Sequence, residues 1–420
     1  MDHLVGLECA ICKQVYQIGE VEYVCPKHGN DGNLDVLYDY DRIAAAWKSN
    51  PHWPGRGIWR YKALLPIELG AAEPPLLVGD TPLYPAGGIA RQIGVREVWV
   101  KDEGRNPTAS LKDRASALVV AKAVAEGREL VTTASTGNAG AALSGLAASM
   151  CLPSVIFAPA TAPEAKVAQF LVYGSLVILV EGTYDDAFDL CLEATQKYGW
   201  YCRNTGYNPY TAEGKKTVSY EVCEQLSGQL GHFSAPDRIV VSVGDGNIIS
   251  GVHKGLKDLL ALGWISHMPA LIGVQAEGSN AMYRAWKEGI DPITMPPLDA
   301  HTIADSISAG LPRDRVKAMN AVKETDGIYV TVTDDEILAA IPALARLTGV
   351  FAEPAAAAAY AGLLKCAQEG LFEPDERIVL LVTGNGLKDI ASAKKSVGQA
   401  HRIKPTLDEV SRLVSEDFRR

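Results

Sequence analysis

The sequence predicts an α/β protein with two doubly wound parallel-sheet domains and a small ribbon at the N-terminus. Three observations carry this expectation. Short, continuous apolar runs alternate with long helical ones between about residue 97 and residue 382, the pattern of parallel strands buried on both faces. The runs are too many for one compact sheet, so two sheets are expected. Glycine-rich and polar segments follow directly after several runs, where folds of this class bind ligands.

Residues 1–40 hold two knuckles, Cys9-Ala10-Ile11-Cys12 and Cys25-Pro26-Lys27-His28-Gly29. Between them, Val15-Tyr16-Gln17-Ile18 and Val21-Glu22-Tyr23-Val24 alternate like the strands of a hairpin. Cys9, Cys12, Cys25 and His28 together suit one tetrahedral Zn²⁺. The alternative is a metal-free ribbon that only caps the body. Residues from about 45 to 95, including Pro51-His52-Trp53-Pro54-Gly55 and Gly79-Asp80-Thr81-Pro82-Leu83, are rich in Pro, Trp and Gly and are expected to wrap the body irregularly.

Glu97-Val98-Trp99-Val100-Lys101 then reads as a strand, and Asp113 to Glu126 as a helix. Leu130-Val131-Thr132-Thr133 is a second strand, followed by an alanine-rich helix from about Ala139 to Met150. Further strands are expected at 154–158, 177–180, 239–243, 271–275 and 378–382. Residues 41–115 with 225–400 are assigned to the larger α/β domain and 116–224 to the smaller. Residues 401–420 carry mixed charge and read as a solvent-facing helix or tail.

The composition narrows the function. Forty Lys and Arg against fifty Asp and Glu give a formal charge of −10, which disfavours nucleic acid or an anionic membrane as partner. No apolar run is long enough to span a bilayer, and the start lacks the basic and apolar regions of a secretory signal. Cys151, Cys191, Cys202, Cys223 and Cys366 read as reduced, mostly core thiols of a cytoplasmic protein.

Lys112 is the leading catalytic candidate. It follows the turn-forming Asn106-Pro107-Thr108 and precedes a long apolar-periodic run, which puts it at a helix start. An amine held there can form an imine with an aldehyde cofactor once its proton affinity is lowered. Three glycine-rich loops stand at strand ends. Ser135-Thr136-Gly137-Asn138-Ala139-Gly140 suits a carboxylate, and Asn138 can donate to a phenolate oxygen. Gly244-Asp245-Gly246-Asn247-Ile248 suits a phosphate at a helix N-terminus, with the Asp245 carboxylate turned away. Thr383-Gly384-Asn385-Gly386-Leu387-Lys388-Asp389 offers a neutral hydroxyl that can meet a ring nitrogen. The spacing of a dinucleotide-binding loop is absent after these strands.

Taken together, the motifs resemble those of fold-type II pyridoxal-phosphate enzymes, the tryptophan-synthase-β-like fold, and within them the threonine synthases. The resemblance rests on Asn106-Pro107-Thr108 with Ser110-Leu111-Lys112-Asp113-Arg114, on Ala134-Ser135-Thr136-Gly137-Asn138, and on Asn208-Pro209 with Glu213-Gly214-Lys215-Lys216-Thr217. Phe351-Ala352-Glu353-Pro354-Ala355 and the Thr383 loop continue it, and the cysteine knuckles resemble the ribbon of archaeal-type members. It implies pyridoxal 5'-phosphate held by Lys112 as an imine, by Gly244, Asp245, Gly246, Asn247 and Ile248 at its phosphate, and by Asn138 and Thr383 at its ring. It also implies an amino-acid substrate met by Ser135, Thr136, Gly137 and Asn138, a lyase reaction that yields threonine from O-phosphohomoserine, and a homodimer.

Five positions depart from the family pattern, among them Ala139, where a hydroxyl residue is often found, and Lys215, where glutamine is common. Ala109 stands where glycine is usual, and Leu111 where phenylalanine is usual. Thr211 stands where an arginine helps to hold the substrate's phosphate. Lys215, Arg203 or Arg313 could restore that charge, against the reading that they are solvated surface cations. Two other readings therefore stay open. One is β-elimination or β-replacement on another amino acid, as in cysteate synthases or serine and threonine ammonia-lyases. The other is an inactive scaffold with a regulatory role. Asp305 and Ser306, after His301, resemble residues that line family active sites, with a helix cap as the alternative.

Overall fold

A computed structural model describes residues 3–49 and 55–417. Pro51, His52, Trp53 and Pro54 of the wrapping segment lie outside the described residues, as do Met1, Asp2, Asn50 and residues 418–420. No described helix is long and apolar enough to cross a membrane.

The N-terminal ribbon is an antiparallel sheet of β1 (Leu4–Cys9), β2 (Val15–Tyr16) and β3 (Leu34–Tyr38), in the order β2-β1-β3. The expected hairpin between residues 15–18 and 21–24 does not form. Those two segments share only a single bridge, Ile18 to Val21, across a turn at Gly19. The reason is packing. Leu7, Cys9, Leu34, Val36 and Tyr38 put a continuous apolar face from β1 and β3 into the core, whereas Val15 and Ile18 stay exposed.

The larger sheet comprises β4 (Leu83–Pro85), β5 (Glu97–Asp102), β10 (Arg238–Ser242), β11 (Ala270–Ala276), β12 (Ile328–Val332) and β13 (Arg377–Val382). The smaller sheet holds β6 (Val131–Ala134), β7 (Ser154–Pro159), β8 (Leu176–Val180) and β9 (Tyr201–Cys202). Their orders are β12-β11-β10-β13-β5-β4 and β8-β7-β6-β9. All neighbours run parallel except β4, an antiparallel edge of the larger sheet. β6 and β7 are buried at every residue, which explains their unbroken apolar and small-residue composition. The alanine run Ala355 to Ala359 lies in helix Pro354–Gln368, buried against the larger sheet, where small side chains allow close approach. Helix Leu407–Asp417 is largely exposed where its burial is described. Of the five scattered cysteines, Cys151 is exposed and the other four are buried.

This topology places the site. The loops 135–140, 244–248 and 383–389 leave the carboxyl ends of β6, β10 and β13, and the first two enter helices Asn138–Ser149 and Asn247–Ala261 directly. Helix Lys112–Ala125 begins beside the third, because Leu111 N donates to Thr383 O at 2.9 Å and Ser110 bridges Gly384.

Candidate active site

The start of helix Lys112–Ala125 is fixed by buried polar contacts. Asp113 accepts hydrogen bonds from the backbone N–H of Thr108 at 2.7 Å and from its hydroxyl. Arg114, with no exposed side-chain surface, reaches Glu103 at 2.6 Å and Glu221 at 2.7 Å, and Lys101 joins Glu221 at 2.8 Å. Removing Arg114 would leave Glu103 without its cation, and removing Glu221 would leave Lys101 without its carboxylate. It holds Lys112 still from the adjacent positions. Ala109, where glycine was expected, adopts φ +65°, the left-handed region that glycine favours.

Lys112 opens into a cavity of about 270 Å³. The same cavity is lined by Ser135, Thr136, Gly137 and Asn138 from one loop, by Gly244 to Ile248 from another, and by Lys215. Every cofactor and substrate candidate from the sequence except Thr383 thus meets in one place. Burial lowers the Lys112 amine from 10.5 to about 8, and the nearby cations Arg203 and Lys166 add to the effect. A neutral amine is the form that attacks an aldehyde.

The second loop is shaped for an anion. Gly246 has φ +90°, and a Cβ on Gly244 would sit 2.7 Å from Ile307 Cα. Helix Asn247–Ala261 presents its N-terminus there. The Asp245 carboxylate is turned to Arg313, whose backbone N–H it accepts at 3.3 Å, and burial raises its proton affinity. Around the cavity wall, Asn138 Oδ1 and Ser242 Oγ are buried without partners. An activated amine, an anion cradle and orphaned polar atoms fit a phosphorylated aldehyde cofactor of the pyridoxal kind.

Two findings qualify the ring contacts. Asn138 Nδ2 donates to the buried Glu353 at 2.6 Å, so Glu353 competes with any ring oxygen for that donor. Thr383 is buried one residue behind Lys112, its carbonyl on Leu111, and does not line the cavity.

Thr211 likewise does not line the cavity. Its hydroxyl donates back to Asn208 O at 2.8 Å. The candidate replacement cations differ sharply. Arg313 pairs with Asp185 and covers the ring of Phe188. Lys215 and Arg203 are not surface cations: they are 1% and 0% exposed. Arg203 donates to Thr205 Oγ1 at 2.7 Å and Ser116 Oγ at 3.2 Å, its Nη2 has no partner, and no carboxylate pairs with it among the described residues. Lys215 donates to Asn247 Oδ1. Burial, with Arg203 and Lys112 close by, pushes its proton affinity well down.

Asp305 and Ser306 line the cavity. Asp305 takes Lys166 at 2.6 Å and Thr136 Oγ1 at 3.3 Å, which ties the first loop to the opposite wall. His301 is exposed and pairs with Asp299 instead. Lys166, Tyr184 and Thr205 were missed in the sequence. The available signal was their place shortly after β7, β8 and β9 at the carboxyl edge of the smaller sheet.

The family described as pyridoxal-phosphate dependent enzyme matches residues 75–384. A threonine synthase of Methanocaldococcus jannaschii is 35% identical over 97% of this chain and 99% of its own length. One of Methanosarcina acetivorans is 40% identical over 91% and 92%. This chain is a pyridoxal-phosphate-dependent enzyme of the threonine synthase family. Maize serine racemase shares the fold at a TM-score of 0.62, with 21% identity over 81% of this chain and 94% of that one. The chain is therefore a fold-type II lyase using pyridoxal 5'-phosphate.

In the ribbon, the ligand atoms of Cys9, Cys12, Cys25 and His28 lie within 4.8 Å of one another. Cys12 Sγ is 3.9 Å from Cys25 Sγ, which is 3.8 Å from His28 Nδ1. A tetrahedral Zn²⁺ with bonds of about 2.0–2.3 Å spaces its ligands roughly 3.5–3.8 Å apart, so the set fits one such ion.

Proposed function

We propose that the enzyme converts O-phosphohomoserine and water to threonine and phosphate, by elimination and water addition. The observation that carries this reading is the pair of buried cations, Lys215 in the cavity wall and Arg203 behind Thr205, neither paired with a carboxylate among the described residues. Burial and neighbouring cations press against the charged form of Lys215, and a phosphorylated substrate supplies the anion that favours it. The two side chains compensate for Thr211.

In this reading, Gly244, Asp245, Gly246, Asn247 and Ile248 hold the cofactor's phosphate, and Asn138 and Thr383 address its ring. Ser135, Thr136, Gly137 and Asn138 take the substrate's carboxylate, and Lys215 its phosphate. When bound, the cofactor supplies an electron sink for the pair left by proton removal. Lys112, with its lowered proton affinity, takes a proton from the substrate's carbon and returns it at another. Asp305, held by Lys166, fixes the substrate loop by accepting from Thr136 Oγ1. The two sheets support a cofactor domain of residues 41–115 and 225–400 and a smaller domain of 116–224.

The test is product analysis of the purified, cofactor-loaded enzyme. O-Phosphohomoserine is compared with serine, threonine and phosphoserine, the last with and without sulfite. Threonine and phosphate in equal amounts from O-phosphohomoserine support the reading, and no turnover of it overturns the reading. We also infer that Cys9, Cys12, Cys25 and His28 bind one structural zinc. Metal analysis that finds none in protein purified without chelator would end that inference.

A further inference from the structure

A line of buried polar side chains joins the ribbon to the cavity, and its first two members, Asn33 and Asp314, have no part in the reaction proposed above. The knuckles hold the chain at its first member: Ala10 N donates to Asn33 O at 2.9 Å, and Cys25 N donates to O of the preceding residue, Gly32, at 2.8 Å. Asn33 Nδ2 donates to Asp314 Oδ1 at 2.7 Å and to Arg313 O at 2.9 Å. The other oxygen of Asp314 accepts from Asn247 Nδ2 at 2.7 Å, and Asn247 Oδ1 accepts from Lys215 Nζ. Asn33, Asp314, Asn247 and Lys215 are 5%, 0%, 4% and 1% exposed, so water does not substitute for a missing link.

Each link dictates the sense of the next. A carboxylate only accepts, so Asp314 obliges both asparagines to turn their NH₂ groups toward it. Asn247 then has only its carbonyl to offer Lys215, and the lysine must donate. Asn247 is also the first residue of the helix whose N-terminus faces the phosphate loop. The line therefore ends on the cation and the helix start that face an anion.

We propose that Asn33 is a positioning residue: through Asp314 and Asn247 the ribbon orients Lys215 toward the anionic group of the substrate. This rests on the assignment of Lys215 to the substrate's phosphate. Loss of the Asn33 donors leaves Asp314 one partner short. Asp314 then swings toward the remaining donors, and Asn247 and Lys215 move with it.

The test uses the full-length holoenzyme and inorganic phosphate as probe. Phosphate binding is followed by the change in the bound cofactor's visible spectrum, and KM and kcat are measured with O-phosphohomoserine. Asn33→Ala is compared with Asp35→Asn, which breaks the Asp35–Lys317 contact of 2.8 Å between ribbon and body but lies outside the line. Asn33→Ala is expected to raise the phosphate Kd and the KM about fivefold with kcat changed less than about twofold. Asp35→Asn is expected to lower thermal stability and leave both constants within about twofold. In a Lys215→Met background, Asn33→Ala should add less than about twofold.

Equal shifts from Asn33→Ala and Asp35→Asn, or a full effect of Asn33→Ala without Lys215, overturn the proposal. If Lys215→Met alone leaves Kd and KM unchanged, the assignment of Lys215 fails, and the proposal with it. If Lys215→Met raises both and Asn33→Ala raises neither, only the positioning role of Asn33 fails.

Discussion

The lowered proton affinity of Lys112 has a direct kinetic consequence in the apo-protein. Its amine moves from 10.5 to about 8. At pH 7 an ordinary lysine is about 0.03% neutral, whereas this one is about 9% neutral, a gain of roughly 300-fold in the reactive form. The perturbation is pH, and the assay is stopped-flow mixing of apo-protein with pyridoxal 5'-phosphate, read as imine absorbance. Below about pH 8 the rate should rise close to tenfold per unit, and it should level off above that value. Lys166→Met removes one of the repelling cations and should move the midpoint upward. A midpoint at pH 10 or above, or a rate independent of pH, would refute the argument. The same shift carries a stability cost. The folded value lies below the unfolded one, so apo-protein stability is lowest below about pH 8 and rises as pH increases toward 10.5. The cost at pH 7 is on the order of 3 kcal/mol, so apo Lys112→Ala should be more stable than wild type in urea unfolding at that pH.

Arg203→Met should raise KM for O-phosphohomoserine by about tenfold or more, because a buried charge-assisted contact is lost; an unchanged KM assigns the substrate's phosphate to other residues. The zinc proposed for the ribbon should be lost in Cys25→Ser, with a lower melting temperature, measured by metal content and calorimetry on the same sample. Ala109→Gly relieves a left-handed alanine costing about 1–2 kcal/mol and returns about 0.5–1 kcal/mol in chain entropy, for a net gain of up to about 1 kcal/mol in urea unfolding. A loss of stability there would show that φ +65° is not strained in this turn.

Local pattern carried the fold a long way. The apolar runs at 239–243 and 378–382 became β10 and β13, and the glycine loops stood at their carboxyl ends, because strand burial and tight turns are written in adjacent residues. Lys112 was legible for the same reason, with a turn before it and a helix after it. What depends on distant partners was not. Lys166 meets Asp305 and Asn138 meets Glu353 across 139 and 215 residues, and no local pattern encodes such a pairing. The burial of Arg203 and Lys215 was equally hidden, since charged side chains are ordinarily at the surface. The ribbon hairpin failed because alternation in 15–18 and 21–24 says nothing of the stronger apolar faces of β1 and β3.

The ribbon's attachment has a consequence for synthesis. Asn33 docks on Arg313 and Asp314, 280 and 281 residues later, and Asp31 and Asp35 dock on Arg315 and Lys317. At translation rates of about 5–20 residues per second, this part of the ribbon's docking surface follows the ribbon by roughly 15–60 s. Partners nearer in sequence arrive sooner, since Tyr23 OH accepts from Cys202 N at 3.0 Å and Tyr38 OH donates to Glu213. Because Lys215 is oriented only once Asp314 has arrived, a nascent chain carries the whole smaller sheet and the catalytic lysine well before it owns a finished anion site.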